Sequence, residues 1–177
     1  SVLWLLEDNA AATANLKREA AQRGIAPERL IFAPRAKLED HLARHRLADL
    51  FLDTLPYNAH TTASDALWTG LPVLTCMGGT FAGRVAASVL NAAGLPELVT
   101  LCLDDYEALA LSLARDPARI TAMKTKLVQS RETSPLFDAA RFARHLESAY
   151  TTMWKRSQRG EKPAAFDVPA IAASGPG

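Results

Sequence analysis

The hydroxyls of Thr61 and Thr62 stand side by side directly after His60, and Asp65 follows four residues beyond Thr61. If this stretch is helical, the two threonines occupy its first turn, where backbone N–H groups lack intrahelical acceptors and the helix dipole is positive. Such a turn is a natural seat for an anion, and the hydroxyls add donors without adding charge. Asp65, on the same face and one turn further in, offers a carboxylate that can accept from the vicinal hydroxyls of a ribose. Phosphate donors beside a diol acceptor suggest a nucleotide. The same spacing also fits plain helix capping by the threonines, with Asp65 as an ordinary charge near the helix start.

Two further stretches carry chemistry-bearing residues. His41 and Arg44 lie at i, i+3 in a segment that reads as a helix, so a flat imidazole able to stack on a base neighbours a guanidinium able to donate to its carbonyl oxygens. A solvated helix face accounts for the same pair. Met77-Gly78-Gly79-Thr80-Phe81-Ala82-Gly83-Arg84 joins two glycines to a helix start, which suits close approach to a sugar or a diphosphate, or a simple strand-to-helix connection. It lacks the Gly-Lys-Ser/Thr ending of a P-loop.

The elements that hold these residues alternate. Residues 2–6, 30–33, 47–53, 72–76 and 98–101 are short apolar runs that read as strands. Between them, 10–23, 37–46, 61–69 and 81–93 read as helices, the first closed by Gly24 and the third by Gly70. Asp104 with Glu107 suggests a capping box for the next helix, whose apolar face is Tyr106, Leu109, Ala110 and Leu113. Asp116-Pro117 opens another, and Asp138 opens a long last helix with Phe142, Leu146, Ala149 and Met153 on one stripe. Strands that are almost wholly apolar, alternating with amphipathic helices, predict a doubly wound α/β fold with a parallel sheet covered on both faces. In such a sheet ligands bind outside the carboxyl ends of the strands, which directs attention to the loops after Ala33, Asp53 and Cys76.

Composition narrows the partners. Twenty Lys plus Arg against nineteen Asp plus Glu give a net charge of +1 over 177 residues, so no global field favours nucleic acid or an anionic membrane. The apolar start, Ser1-Val2-Leu3-Trp4-Leu5-Leu6, has no basic leader and is far too short to span a bilayer. Cys76 and Cys102 are expected as buried, reduced thiols, which fits a cytoplasmic protein. No solenoid repeat is evident.

The stretch Asn58-Ala59-His60-Thr61-Thr62-Ala63-Ser64-Asp65-Ala66-Leu67-Trp68-Thr69-Gly70-Leu71-Pro72-Val73, preceded by Leu47-Ala48-Asp49 and Asp53-Thr54, resembles the donor-binding signature of the O-GlcNAc transferases. The wider GT-B pattern has paired Thr, an acidic residue, Ala-Leu and Gly-x-Pro-Val; His-Thr-Thr with Asp and Trp narrows it. Ser1 to Leu6, Arg84-Val85-Ala86-Ala87-Ser88, Ser134-Pro135-Leu136-Phe137 and Met153-Trp154 extend the resemblance over residues 1–163.

The resemblance implies the carboxyl-terminal, Rossmann-like lobe of a GT-B glycosyltransferase: a nucleotide-sugar lobe over 1–137, a helix over 138–162 docking toward an N-terminal lobe, and a flexible tail over 163–177. It implies transfer of N-acetylglucosamine from UDP-GlcNAc to protein Ser/Thr hydroxyls, with inversion and with neither metal nor other cofactor. By matching position, the Ala36 backbone, His41 and Arg44 would hold the uracil, Asp65 the ribose, and His60, Thr61 and Thr62 the diphosphate, with Lys37 in place of the family lysine that contacts ribose or phosphate. The family pattern often reads Ala-Pro-Lys, whereas Ala36-Lys37-Leu38 sets the lysine one residue earlier. A further phosphate-binding lysine, the general base, the acceptor-peptide surface and a helical-repeat array are expected upstream of Ser1. No Asp-x-Asp metal clamp occurs, in keeping with a metal-free leaving group. A GT-B transferase using another nucleotide sugar, or a non-catalytic nucleotide-binding module, are the competing readings; a donor screen separates the first, and UDP binding without transfer would mark the second.

Overall fold

The computed structural model describes residues 1–171. The chain divides into two compact units, Ser1–His45 and Arg46–Gly177.

In the first unit, β1 (Leu3–Leu6) and β2 (Leu30–Ala33) pair in parallel, in register from Leu3 opposite Leu30 to Leu6 opposite Ala33. A parallel pair needs a crossover, which α1 (Ala10–Gln22) supplies. Asn9 starts α1 by accepting from the Ala12 amide at 2.8 Å, and Gly24, at φ +72°, takes the left-handed conformation that ends it. The short α2 (Leu38–Arg44) follows β2 and runs into a 3-10 turn at His45–Leu47. Burial on both strand faces, expected from the apolar runs, is not found here: Leu3, Trp4, Leu6 and Ile31 are all exposed. A two-stranded sheet with one long helix has too little structure of its own to cover both faces.

In the second unit, β3 (Phe51–Leu52), β4 (Val73–Cys76) and β5 (Val99–Thr100) form a parallel sheet in the order β3-β4-β5. The strands are linked through α3 (Thr61–Trp68) and α4 (Val85–Ala92), and followed by α5 (Leu103–Ala114), α6 (Pro117–Ser130) and α7 (Ala139–Gln158). Every β4 side chain is buried, and α3, α4 and α5 pack against it. Leu67, Val73, Leu90, Leu98, Leu113 and Leu127 join in one core, each side chain contributing about 1.5–3 kcal/mol of apolar burial. The tyrosine-to-leucine face read from the sequence of α5 does turn inward, ending on fully buried Leu113.

Several elements are shorter than the apolar pattern suggests. Of the expected strand 47–53 only Phe51 and Leu52 pair, with Val73 and Leu74, while Leu47 sits in the 3-10 turn and is 78% exposed. The helix expected from Phe81 begins at Val85, because the Thr80 hydroxyl accepts from the Gly83 amide at 3.1 Å and holds residues 80–83 in a turn. The cap of α5 is Cys102, whose Sγ lies 3.5 Å from the Asp105 amide, so Asp104 is a first-turn acid and no Asp104 capping box forms. That role also leaves Cys102 exposed, against the expectation of two buried thiols; Cys76 is buried.

Asp116 and Asp138 cap α6 and α7 as expected, accepting from Arg119 and Arg141 amides at 3.0 and 2.7 Å. The 20-residue α7 buries no residue and leaves Phe142, Leu146, Tyr150, Met153 and Trp154 exposed. After it, residues 163–171 have no regular secondary structure but touch α7: Arg156 lies 4.7 Å from the Phe166 ring and donates to the Ala164 carbonyl, and the Ile171 amide donates to His145 Nε2 at 3.0 Å. The rest of the expected tail, 172–177, lies outside the described residues.

Candidate functional site

The loop after β3 is organised by a residue at the strand's end. Asp53 is buried, and its carboxylate accepts from the Thr54 amide at 2.8 Å, the Ala59 amide at 2.7 Å and the Thr75 hydroxyl of β4 at 2.6 Å. A buried carboxylate is tolerable only with such donors, and here three of them tie both ends of the loop to the sheet. The Asp53 carbonyl accepts from the Tyr106 hydroxyl of α5 at 2.9 Å. Burial, then the Asp53 charge and then Cys76, push the Tyr106 pKa up to about 12. Asn58, also buried, donates to the Thr54 carbonyl at 2.9 Å, and its amide donates to Ala82 at 3.0 Å.

This loop delivers the chain into α3. His60 holds the N-cap position with φ −106° and ψ −93°, and no side chain caps the helix. Capping by Thr61 or Thr62, one of the readings their spacing allowed, does not occur. Both threonines sit in the first turn, exposed, where helix geometry leaves their amides without intrahelical partners. Asp65 is half-buried one turn further on.

The imidazole of His60 stacks on Tyr57, with centroids 4.8 Å apart and planes 17° apart, and meets the edge of Phe81 at 6.2 Å. Its Nε2 lies 3.3 Å from the Ala82 carbonyl; since a carbonyl only accepts, the proton in that contact is on Nε2. The glycine-bearing loop therefore packs on the 54–60 loop. Gly83 makes this approach possible: a Cβ there would fall 3.2 Å from the Pro56 carbonyl and 3.3 Å from the Gly78 Cα.

The remaining candidates belong to the first unit. Ala36 and Lys37 are exposed between β2 and α2, and the Lys37 carbonyl accepts the His41 amide at 2.8 Å. Leu38, where the family pattern has lysine, is 65% exposed. His41 and Arg44 form an ordered cluster rather than a solvated face. Arg44 donates to His41 Nδ1 from Nε at 3.1 Å, with a second nitrogen at 2.7 Å, and to the Pro34 carbonyl at 3.0 Å, while its guanidinium lies 5.7 Å from the Trp4 ring.

Sequence reading picked out His60, Thr61, Thr62, Asp65, His41 and Arg44 but not Asp53, Tyr57 or Tyr106. The one available signal was a carboxylate closing an apolar run. Among the described residues no group of three His, Cys, Asp or Glu converges as a metal-binding set, and no helix is long and apolar enough to cross a membrane.

A family model described as glycosyl transferase family 41 matches residues 1–146. The chain is 39% identical over 169 residues to a probable UDP-N-acetylglucosamine–peptide N-acetylglucosaminyltransferase SEC of Arabidopsis thaliana, covering 95% of this chain and 17% of that protein. It is 38% identical over 160 residues to a UDP-N-acetylglucosamine–peptide N-acetylglucosaminyltransferase of Caenorhabditis elegans, covering 90% and 14%. Among solved structures, an O-GlcNAc transferase mutant of Thermobaculum terrenum matches with a TM-score of 0.85 at 34% identity, over 90% of this chain and 31% of the other. The chain thus spans less than a third of each of these relatives, in agreement with a Rossmann-like lobe of a larger GT-B protein. By the match over most of its length, the chain belongs to glycosyl transferase family 41.

Proposed function

We propose that this chain provides the UDP-sugar donor side of an enzyme that moves N-acetylglucosamine from UDP-GlcNAc to serine or threonine hydroxyls of proteins. The observation that carries the proposal is the uncapped first turn of α3, with exposed Thr61 and Thr62 behind an ordered His60. Family membership and the named activities of the relatives support it.

In this reading the acceptor oxygen attacks the anomeric carbon from the face opposite UDP. The bond to the diphosphate oxygen breaks, that oxygen leaves with the electron pair, and configuration inverts. Charge grows on the departing diphosphate, and the α3 amides with the Thr61 and Thr62 hydroxyls are preorganised donors for it. These donors take the part that a divalent cation plays in other transferases, so the transfer proceeds without metal. Asp65 is assigned to the ribose, the Ala36 backbone, His41 and Arg44 to the uracil, and Lys37 to the ribose or phosphate. The group that takes the acceptor proton, the acceptor-binding surface and the recruiting repeats are assigned to other parts of a longer protein.

The test is a donor screen on the full-length protein with an acceptor peptide. Transfer from UDP-GlcNAc in the presence of EDTA is expected. Transfer only from a different nucleotide sugar would reassign the donor, and UDP binding with no transfer from any donor would mark a non-catalytic module.

A further inference from the structure

Among the described residues the His60 imidazole is restrained from three directions, one of them a hydrogen bond, the 3.3 Å contact of Nε2 with the Ala82 carbonyl. Phe81 touches it edge-on and is itself 83% exposed, which makes it a loose wall. The face of the ring lies on Tyr57. Tyr57 is 64% exposed, so core packing does not explain its position. Its backbone is pinned instead: the Tyr57 carbonyl accepts from the Thr54 hydroxyl at 3.1 Å, and the next residue, buried Asn58, is bonded on both its amide and its side chain. A fixed main chain thus presents a flat aromatic face at the one place where it covers the imidazole.

We infer that Tyr57 is a positioning residue for His60: by stacking on the imidazole it holds His60 at the N-cap of α3, so that the free amides and hydroxyls of the first turn stay aimed at the leaving diphosphate. The inference rests on the donor-site reading above. An offset-stacked pair needs an aromatic face, not a hydroxyl, so the ring of Tyr57 is the working part. A ring held by one long hydrogen bond alone samples other rotamers and loosens the entrance to α3, and the loss falls on turnover more than on donor binding, because the first-turn donors to the diphosphate matter most as its charge develops.

Steady-state kinetics of the full-length protein with UDP-GlcNAc and an acceptor peptide test this with four variants: Tyr57→Ala, Tyr57→Phe, His60→Ala and the Tyr57→Ala/His60→Ala pair. Tyr57→Ala is expected to lower kcat about two- to tenfold, with Tyr57→Phe close to the parent. In the His60→Ala background, Tyr57→Ala is expected to have no further effect, which a merely structural role would not produce. An equal loss in both backgrounds, or a Phe variant as poor as Ala, would overturn the inference. A harmless Tyr57→Ala beside a damaging His60→Ala would remove the inference and leave the donor site standing. A harmless His60→Ala would remove the inference, while the donor site would still stand or fall with Thr61→Val and Thr62→Val. Independently of turnover, the His60 ring-proton resonances in the NMR spectrum are expected to shift in Tyr57→Ala as the neighbouring ring current is lost, and unchanged resonances would contradict the stacking.

Discussion

The Tyr106 hydroxyl of α5 donates to the main-chain carbonyl of Asp53 at 2.9 Å, while the Asp53 carboxylate holds Thr54, Ala59 and Thr75. One residue at the end of β3 thereby joins α5, β4 and both ends of the loop that delivers His60 to α3.

Tyr106→Phe removes only that hydroxyl. It is expected to cost about 0.5–1.5 kcal/mol in denaturant unfolding, the worth of an ordinary intramolecular hydrogen bond. The pKa of Tyr106 is raised to about 12 in the fold, from an ordinary 10.0, so the neutral phenol is the favoured form. Its contribution is full below the unfolded value and is lost as pH rises through the folded one. The stability gap between parent and variant should therefore be constant to about pH 10 and narrow toward pH 12. A gap that widened with rising pH would contradict this.

Asp53→Ala strands the buried Thr75 hydroxyl, at about 1–3 kcal/mol for a buried group left unsatisfied, and releases the part-buried Thr54 and Ala59 amides at lower cost. Hydrogen exchange at the Ala59 amide should accelerate well beyond that of β4 amides, since the loop is released before the sheet. Uniform acceleration across the second unit would mean that Asp53 serves global stability and not the loop.

His41→Ala is expected to weaken UDP binding by about 1–2 kcal/mol, as for other base-stacking side chains. Arg44 donates to His41 Nδ1, so the substitution also frees a guanidinium nitrogen. Calorimetry on the full-length protein reads the change directly, and unaltered affinity would take His41 out of the donor site.

The alternation of elements, the helix starts at Thr61, Asp116 and Asp138, and the threonine pair in a first helical turn are all legible as local patterns. What was not legible depends on partners distant in sequence. Asp53 looks like the last residue of an apolar strand until Thr75, 22 positions later, is seen to donate to it. The Tyr57 stack needs a loop conformation fixed by Asn58 and Ala82, and no periodicity encodes it. The third strand is shorter than its apolar run because pairing sets strand length: β4 begins only at Val73, after Pro72, which has no N–H to give, so residues before Phe51 have no ladder partner.

The exposed stripe of α7, with Phe142, Leu146, Tyr150, Met153 and Trp154, is larger than isolated soluble segments usually carry. A fragment of residues 1–163 is expected to self-associate in sedimentation runs, bind UDP weakly and transfer no sugar, with Phe142→Glu/Trp154→Glu reducing association. Mixing it with the N-terminal lobe of the longer protein is expected to restore transfer. Glycosyl transfer by the fragment alone would overturn the assignment of the acceptor side to other parts of the protein.

The proposed role of the first turn of α3, stabilising the leaving diphosphate, is tested by kcat and donor Kd for Thr61→Val and Thr62→Val in the full-length protein. Valine keeps the shape and removes the donor hydroxyl. Each substitution is expected to lower kcat about ten- to a hundredfold, with a smaller change in UDP-GlcNAc affinity, as for donors aimed at charge that develops in the transition state. Weakened donor affinity with kcat at saturation unchanged would show that the hydroxyls are ordinary binding groups, and would contradict the account.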